Sequence, residues 1–163
     1  PKFVDYRDVE GRYDRIASIE MFEAVGEKYW PAYFGKLRDS LVPGGRAALQ
    51  IITIADRYFE SYRSGVDFIQ RYIFPGGMLP SDAALKAEIA RAGLTLDRQT
   101  FFGRDYAETL DEWNRRFQRA WPEIEKLGFD ARFKRMWEFY LNYCAVGFRA
   151  ESIDVTQVAL VRP

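Results

Sequence analysis

The sequence predicts an α/β fold built on a parallel sheet, and three observations carry that prediction. Residues 15–19 (RIASI) and 46–54 (RAALQIITI) are short, apolar, β-branched runs that read as buried strands. Between them, residues 27–42 place Tyr29, Tyr33, Phe34, Leu37 and Leu41 at helical spacings. Pro43-Gly44-Gly45 is expected to stop that helix and turn the chain. Strand, helix, turn and strand make a βαβ unit with a right-handed crossover.

Each element has its own local reason. Asp5-Tyr6-Arg7-Asp8 and Gly11 form a polar loop ahead of the first strand. Pro31 suits the first turn of the helix, where its missing N–H costs nothing. The long aromatic connection 56–80 holds Tyr72-Ile73-Phe74-Pro75-Gly76-Gly77, and such a length predicts function or partial helicity. Ser81 caps a helix to about Arg91 that gathers Leu85, Ile89 and Ala90 on one face, and Gly93 ends it. Residues 95–102 alternate as a third strand, and Ile153–Val161 as a fourth.

Residues 105–150 read as helical and aromatic. Trp113, Phe117, Ala120 and Trp121 share one face, with Pro122 expected to break the run. Phe133, Trp137, Tyr140, Leu141, Cys144 and Phe148 line another. The strand at 15–20 would be central in a doubly wound sheet, yet only a loop precedes it. Its free edge predicts cover by further sequence, by a second chain or by a homodimer partner. The chain also opens on Pro1 with no initiator Met, so it is expected to be a piece of something longer.

Composition narrows the function. The 163 residues suit one domain, and 48% hydrophobic with 29% charged residues is globular. Lys+Arg and Asp+Glu both number 24, so no basic excess points to nucleic acid. Histidine is absent, which excludes Ser-His-Asp, Cys-His and His-metal chemistry. One cysteine excludes an internal disulfide and a multi-Cys zinc site. No bilayer-spanning run or signal-peptide pattern is present, which predicts a soluble chain of a reducing compartment. Aromatic residues reach 17%, consistent with either a ring-rich core or a large apolar cavity for a lipid-like or flat ligand.

Glycine-rich phosphate loops and metal-ligand spacings are absent, leaving three candidate features. Glu20 and Glu23 follow the carboxyl end of a buried strand, where open α/β sheets bind ligands; the plainer role is capping the next turn. Gln50 lies inside an apolar strand and needs partners for its amide, as a satisfied core amide would have. Tyr106 follows Gly103-Arg104-Asp105 at a strand exit, where a packing role is the simpler one.

Four stretches resemble the cyclopropane-fatty-acyl-phospholipid synthases and related mycolic-acid and fatty-acid methyltransferases. They are YDRIASIEMFEAVG (13–26), IFPGGMLPS (73–81), FGRDYAETLDEW (102–113) and RFKRMWEFYLNYCAVGFRA (132–150). The resemblance implies a class I, Rossmann-like methyltransferase fold using S-adenosylmethionine. Residues 1–163 would form the C-terminal part of one domain, contributing strands four to seven, with acyl-binding insertions at about 56–92 and 105–150. The Gly-rich cofactor loop would lie upstream, and the isolated 163 residues are expected to be inactive.

The implied reaction is methyl transfer to the cis double bond of a phospholipid acyl chain. Its product is a cyclopropane or methyl-branched fatty acid. By motif position, Glu23, Tyr106, Gln50 and the backbone N–H of Ile52 would hold a bicarbonate base, while Tyr6, Arg7 and Ile19 would meet the cofactor. Gln50 stands where the family has His, and an amide can donate a hydrogen bond but cannot carry a proton. The resemblance also implies a cytoplasmic protein at the inner membrane surface. A non-catalytic lipid-binding module and a methyltransferase for small molecules are the alternatives.

Overall fold

The computed structural model describes residues 2–163. It contains strands β1 (Tyr13–Ile19), β2 (Leu41–Ile54), β3 (Thr95–Phe101) and β4 (Ile153–Val161). Its α-helices are α1 (Trp30–Asp39), α2 (Asp56–Arg63), α3 (Phe68–Tyr72), α4 (Asp82–Arg91), α5 (Gly103–Lys126) and α6 (Ala131–Arg149). The sheet order is β1-β2-β4-β3. β1 and β2 are parallel, pairing from Arg15↔Arg46 to Ile19↔Gln50, and β3 is antiparallel to β4. The chain divides into two compact units, one holding the sheet (residues up to Phe101, with Val155–Pro163) and one spanning Phe102–Asp154.

In the sheet unit the βαβ reading holds, with Pro31 in the first turn of α1. The helix ends earlier than its apolar spacing predicts, because Leu41 leaves it to pair with Tyr13. Pro43-Gly44-Gly45 is not the turn expected from its composition. It lies inside β2, where Tyr13↔Leu41 is followed by Arg15↔Arg46, so three extra residues bulge from the strand. Gly44 takes a φ of 74°, and its N–H bonds Arg162 C=O at 2.8 Å while Arg162 N–H bonds Gly45 C=O at 2.9 Å. A side chain at Gly45 would meet the Val42 carbonyl at 2.7 Å, so glycine is required there. The same residues that make turns thus make a bulge when a neighbouring strand takes up their backbone groups.

Phe22 centres the core of this unit, its ring 5.2 Å from Trp30, 5.0 Å from Tyr33 and 5.2 Å from Phe34. Those rings pack with Leu49, Ile51, Leu85, Ile89 and Leu160, all fully buried or nearly so. Truncating such a ring costs about 3–5 kcal/mol. Ser81 caps α4 as its sequence indicates, accepting from Ala84 N–H at 3.2 Å. The 56–80 connection is partly helical through α2 and α3. β1 is less buried than its composition predicts: it is an edge strand of the described sheet, and Ile19 is 60% exposed.

The second unit is an antiparallel helical hairpin, with Tyr106 beside Phe148 and Phe117 beside Phe133. Asp130 caps α6 by accepting from Phe133 N–H at 2.8 Å. Pro122 does not break α5, which runs on to Lys126. The carbonyl it leaves without a helical donor belongs to Gln118, an exposed residue that water can serve. The aromatic surplus therefore has two destinations: a ring-packed core in the sheet unit, and half-exposed stripes on the hairpin.

Candidate active site

The carboxyl end of β1 builds the site. Glu20 leaves the strand at a φ of 49°, a left-handed conformation that a side chain rarely adopts. Its N–H donates to Gln50 C=O at 2.9 Å, and its Oε1 accepts from Gln50 Nε2 at 2.7 Å. A single 3₁₀ turn, Phe22–Ala24, follows, anchored by buried Phe22. Its N-cap, Met21, makes no side-chain bond to the turn.

Glu23 turns instead to β2. Its Oε1 accepts from the Ile52 N–H at 2.6 Å, and its own carbonyl accepts from Met78 N–H at 2.8 Å. Its Oε2 is buried with no hydrogen-bond partner among the described residues. Burial pushes the carboxyl above its usual range; the Ile52 N–H and Glu23's own backbone oppose that shift, and the negative charge of Glu20 adds to it. Gln50 is satisfied at both ends of its amide, accepting from Gln157 Nε2 at 2.9 Å through Oε1.

A groove of about 590 Å³ runs along β1, lined by residues including Tyr6, Ile16, Ile19, Met21 and Tyr33. Ser18 accepts from the Tyr33 hydroxyl at 2.8 Å, and burial pushes that phenol up to about 12. Tyr6 meets the Tyr33 ring edge-on at 5.6 Å. Arg7 does not line the groove; its guanidinium clasps Asp5, whose carboxyl is thereby held down to about 2.

The structure thus joins Glu23 to Ile52 and Gln50 to Glu20, with Gln50 and Ile52 two residues apart on β2, and sets Tyr6 and Ile19 on one groove. Tyr106 belongs to the hairpin unit, packed by Phe102, Trp113 and Phe148. Sequence reasoning missed Gln157 and Ser18. Gln157 occupies an exposed position in an alternating strand, so its pattern is that of any surface polar residue.

Comparison with known proteins matches residues 2–158 to the mycolic acid cyclopropane synthetase family. Tuberculostearic acid methyltransferase UfaA1 of Mycobacterium tuberculosis is 44% identical over 97% of this chain and 37% of its own. Cyclopropane-fatty-acyl-phospholipid synthase of Escherichia coli is 41% identical over 97% of this chain and 40% of its own. The structure of cyclopropane synthase MmaA2 from Mycobacterium tuberculosis superposes with a TM-score of 0.86 at 29% identity, covering 96% of this chain and 57% of that one. Mycolic acid cyclopropane synthase CmaA1, complexed with SAH and CTAB, gives the same values. The chain spans about two fifths of the length of these curated relatives. Its fold is that of the class I S-adenosylmethionine-dependent methyltransferases, and the chain belongs to the mycolic acid cyclopropane synthetase family.

Proposed function

We propose that the protein carrying this chain transfers a methyl group from S-adenosylmethionine to the cis double bond of a phospholipid acyl chain. The chain would be the C-terminal part of one methyltransferase domain. The observation that carries the reading is Glu23: a buried carboxylate just past the carboxyl end of β1, fixed through one oxygen by Ile52 N–H, with the other oxygen unpartnered among the described residues. Open α/β sheets place their chemistry at that end.

When bound, S-adenosylmethionine supplies an electrophilic methyl group and bicarbonate supplies a base. The residues present fit both. Tyr6, Ile19 and Met21 give the groove an apolar and aromatic wall for the cofactor. Glu23 Oε2 has the free hydrogen-bonding capacity a small oxyanion's O–H requires, and Gln50 keeps a second N–H to donate to an oxygen. The Ile52 N–H acts through Glu23, orienting its carboxylate.

Methyl transfer to an alkene would form a C–C bond at the expense of the cofactor's C–S bond and would leave a positive charge on the acyl chain for the protein to tolerate. The hairpin's half-exposed aromatic rings, Trp113, Phe117, Trp137 and Tyr140 among them, are of the kind that tolerates a cation and an apolar chain. Proton loss from the new methyl closes a cyclopropane; proton loss from the chain leaves a methyl-branched alkene.

A peripheral membrane position, at the cytoplasmic leaflet, belongs to the same proposal. No described helix is long and apolar enough to cross a membrane. The hairpin tip exposes Leu127 and Phe129. Residues 113–137 around it carry seven Lys/Arg against three Asp/Glu, whereas the remainder of that unit carries two against seven. That polarity gives a chain of zero net charge a local attraction to anionic lipid. The exposed edge of β1 would be covered by a further strand, from upstream sequence or a second copy.

The test uses the full-length protein, methyl-labelled S-adenosylmethionine and vesicles of cis-unsaturated phospholipid. Label in the lipid, with one carbon gained per reacted acyl chain, is expected. Label passing only to a soluble acceptor, or not at all, would overturn the reading.

A further inference from the structure

We propose that Gln157 is a positioning residue that fixes Gln50 as a hydrogen-bond donor to the ligand of this site; the inference rests on the reading above. The direction of the hydrogen bonds is forced by chemistry. Ionised Glu20 can only accept, so the Gln50 atom 2.7 Å from its Oε1 must be the amide nitrogen. The Gln50 oxygen then points to β4, where Gln157 must present its own nitrogen, at 2.9 Å. Glu20, just past β1, Gln50 on β2 and Gln157 on β4 thus form a relay with one possible polarity.

The consequence concerns what Gln50 has left to offer. One N–H is committed to Glu20 and the oxygen is occupied by Gln157, so the second N–H is the remaining donor of its amide. Such an arrangement favours an oxyanion or carbonyl oxygen and disfavours a donor group. Without Gln157 the amide would be held by Glu20 alone, and its oxygen end, with the second N–H, would be free to swing out of this position. Gln157 holds a preorganised dipole in place, which is where electrostatic catalysis gains most. The strained backbone of Glu20 is consistent with a site held from several sides at once.

The charges facing position 157 are few. Glu20 lies beyond Gln50, and Thr100 stands opposite on β3. Arg98 pairs with Ala159, two residues along the same face, and Arg46 on β2 is held by Asp97.

The experiment compares Gln157→Glu, Gln157→Leu and Gln50→Ala in the full-length protein, measuring kcat and KM for S-adenosylmethionine across pH. Position 157 is exposed, so these substitutions leave the core untouched. An ionised Glu at 157 would set a second acceptor against the Gln50 oxygen and compete with Glu20 for its nitrogen, so the amide loses its single orientation and kcat falls about 10-fold near neutral pH with KM unchanged. As pH falls toward about 5 the new carboxyl begins to protonate, can donate to the Gln50 oxygen, and the deficit should shrink. Gln157→Leu should be impaired with no such recovery. A Gln157→Glu profile parallel to wild type, with Gln50→Ala impaired, overturns the role of Gln157 alone. Wild-type kcat in Gln50→Ala overturns the underlying reading of the site.

Discussion

Glu23 has one oxygen held by the Ile52 N–H and the other buried without a partner among the described residues, which stability and catalysis value in opposite ways. Its folded pKa lies above the unfolded value, so the native state binds the extra proton. Stability contributed by the neutral form is present below the unfolded carboxyl range and is lost as pH rises through the folded pKa. Glu23→Gln, neutral throughout, should therefore be more stable than wild type at neutral pH by about 1 kcal/mol, with the difference vanishing in acid. Thermal melts against pH check this; a difference independent of pH would refute it. The position of Glu23 at a strand end was legible from acidic residues following an apolar run, whereas its bond to the Ile52 N–H depends on a strand that the local sequence does not reveal. Gln157 was not, because its significance comes from a neighbouring strand more than a hundred residues away in sequence.

Elements whose ends are set by local chemistry were legible at their full extent. The cap at Ser81 fixes the start of α4, and alternation alone gives β4 from Ile153 to Val161. Pro43-Gly44-Gly45 and Pro122 misled for a common reason: each marks a local perturbation whose outcome depends on what surrounds it. Arg162 turns the first into a bulge, and solvent at Gln118 lets α5 pass the second. The hairpin carries its own prediction. Leu127→Asp combined with Phe129→Asp should weaken binding of the full-length protein to anionic phospholipid vesicles at least 10-fold, the scale of losing two buried apolar side chains. Co-sedimentation measures it, and unchanged binding would remove the tip from the membrane contact.

At the scale of the whole molecule, parallel pairing of β1 with β2 and the uncovered edge of β1 followed from strand composition and order. The placement of β4 between β2 and β3 did not, since nothing in an alternating C-terminal strand says which neighbours it will choose. That placement brings Gln157 to Gln50 and completes the polar cluster at the carboxyl end of β1. The central claim is that this cluster is the catalytic centre of an acyl-chain methyltransferase. Its most direct test is kcat for Glu23→Gln in the full-length protein, alongside calorimetric affinity for S-adenosylhomocysteine. The account predicts a fall in kcat of about 10²-fold with cofactor affinity unchanged. Wild-type kcat in that variant would contradict it.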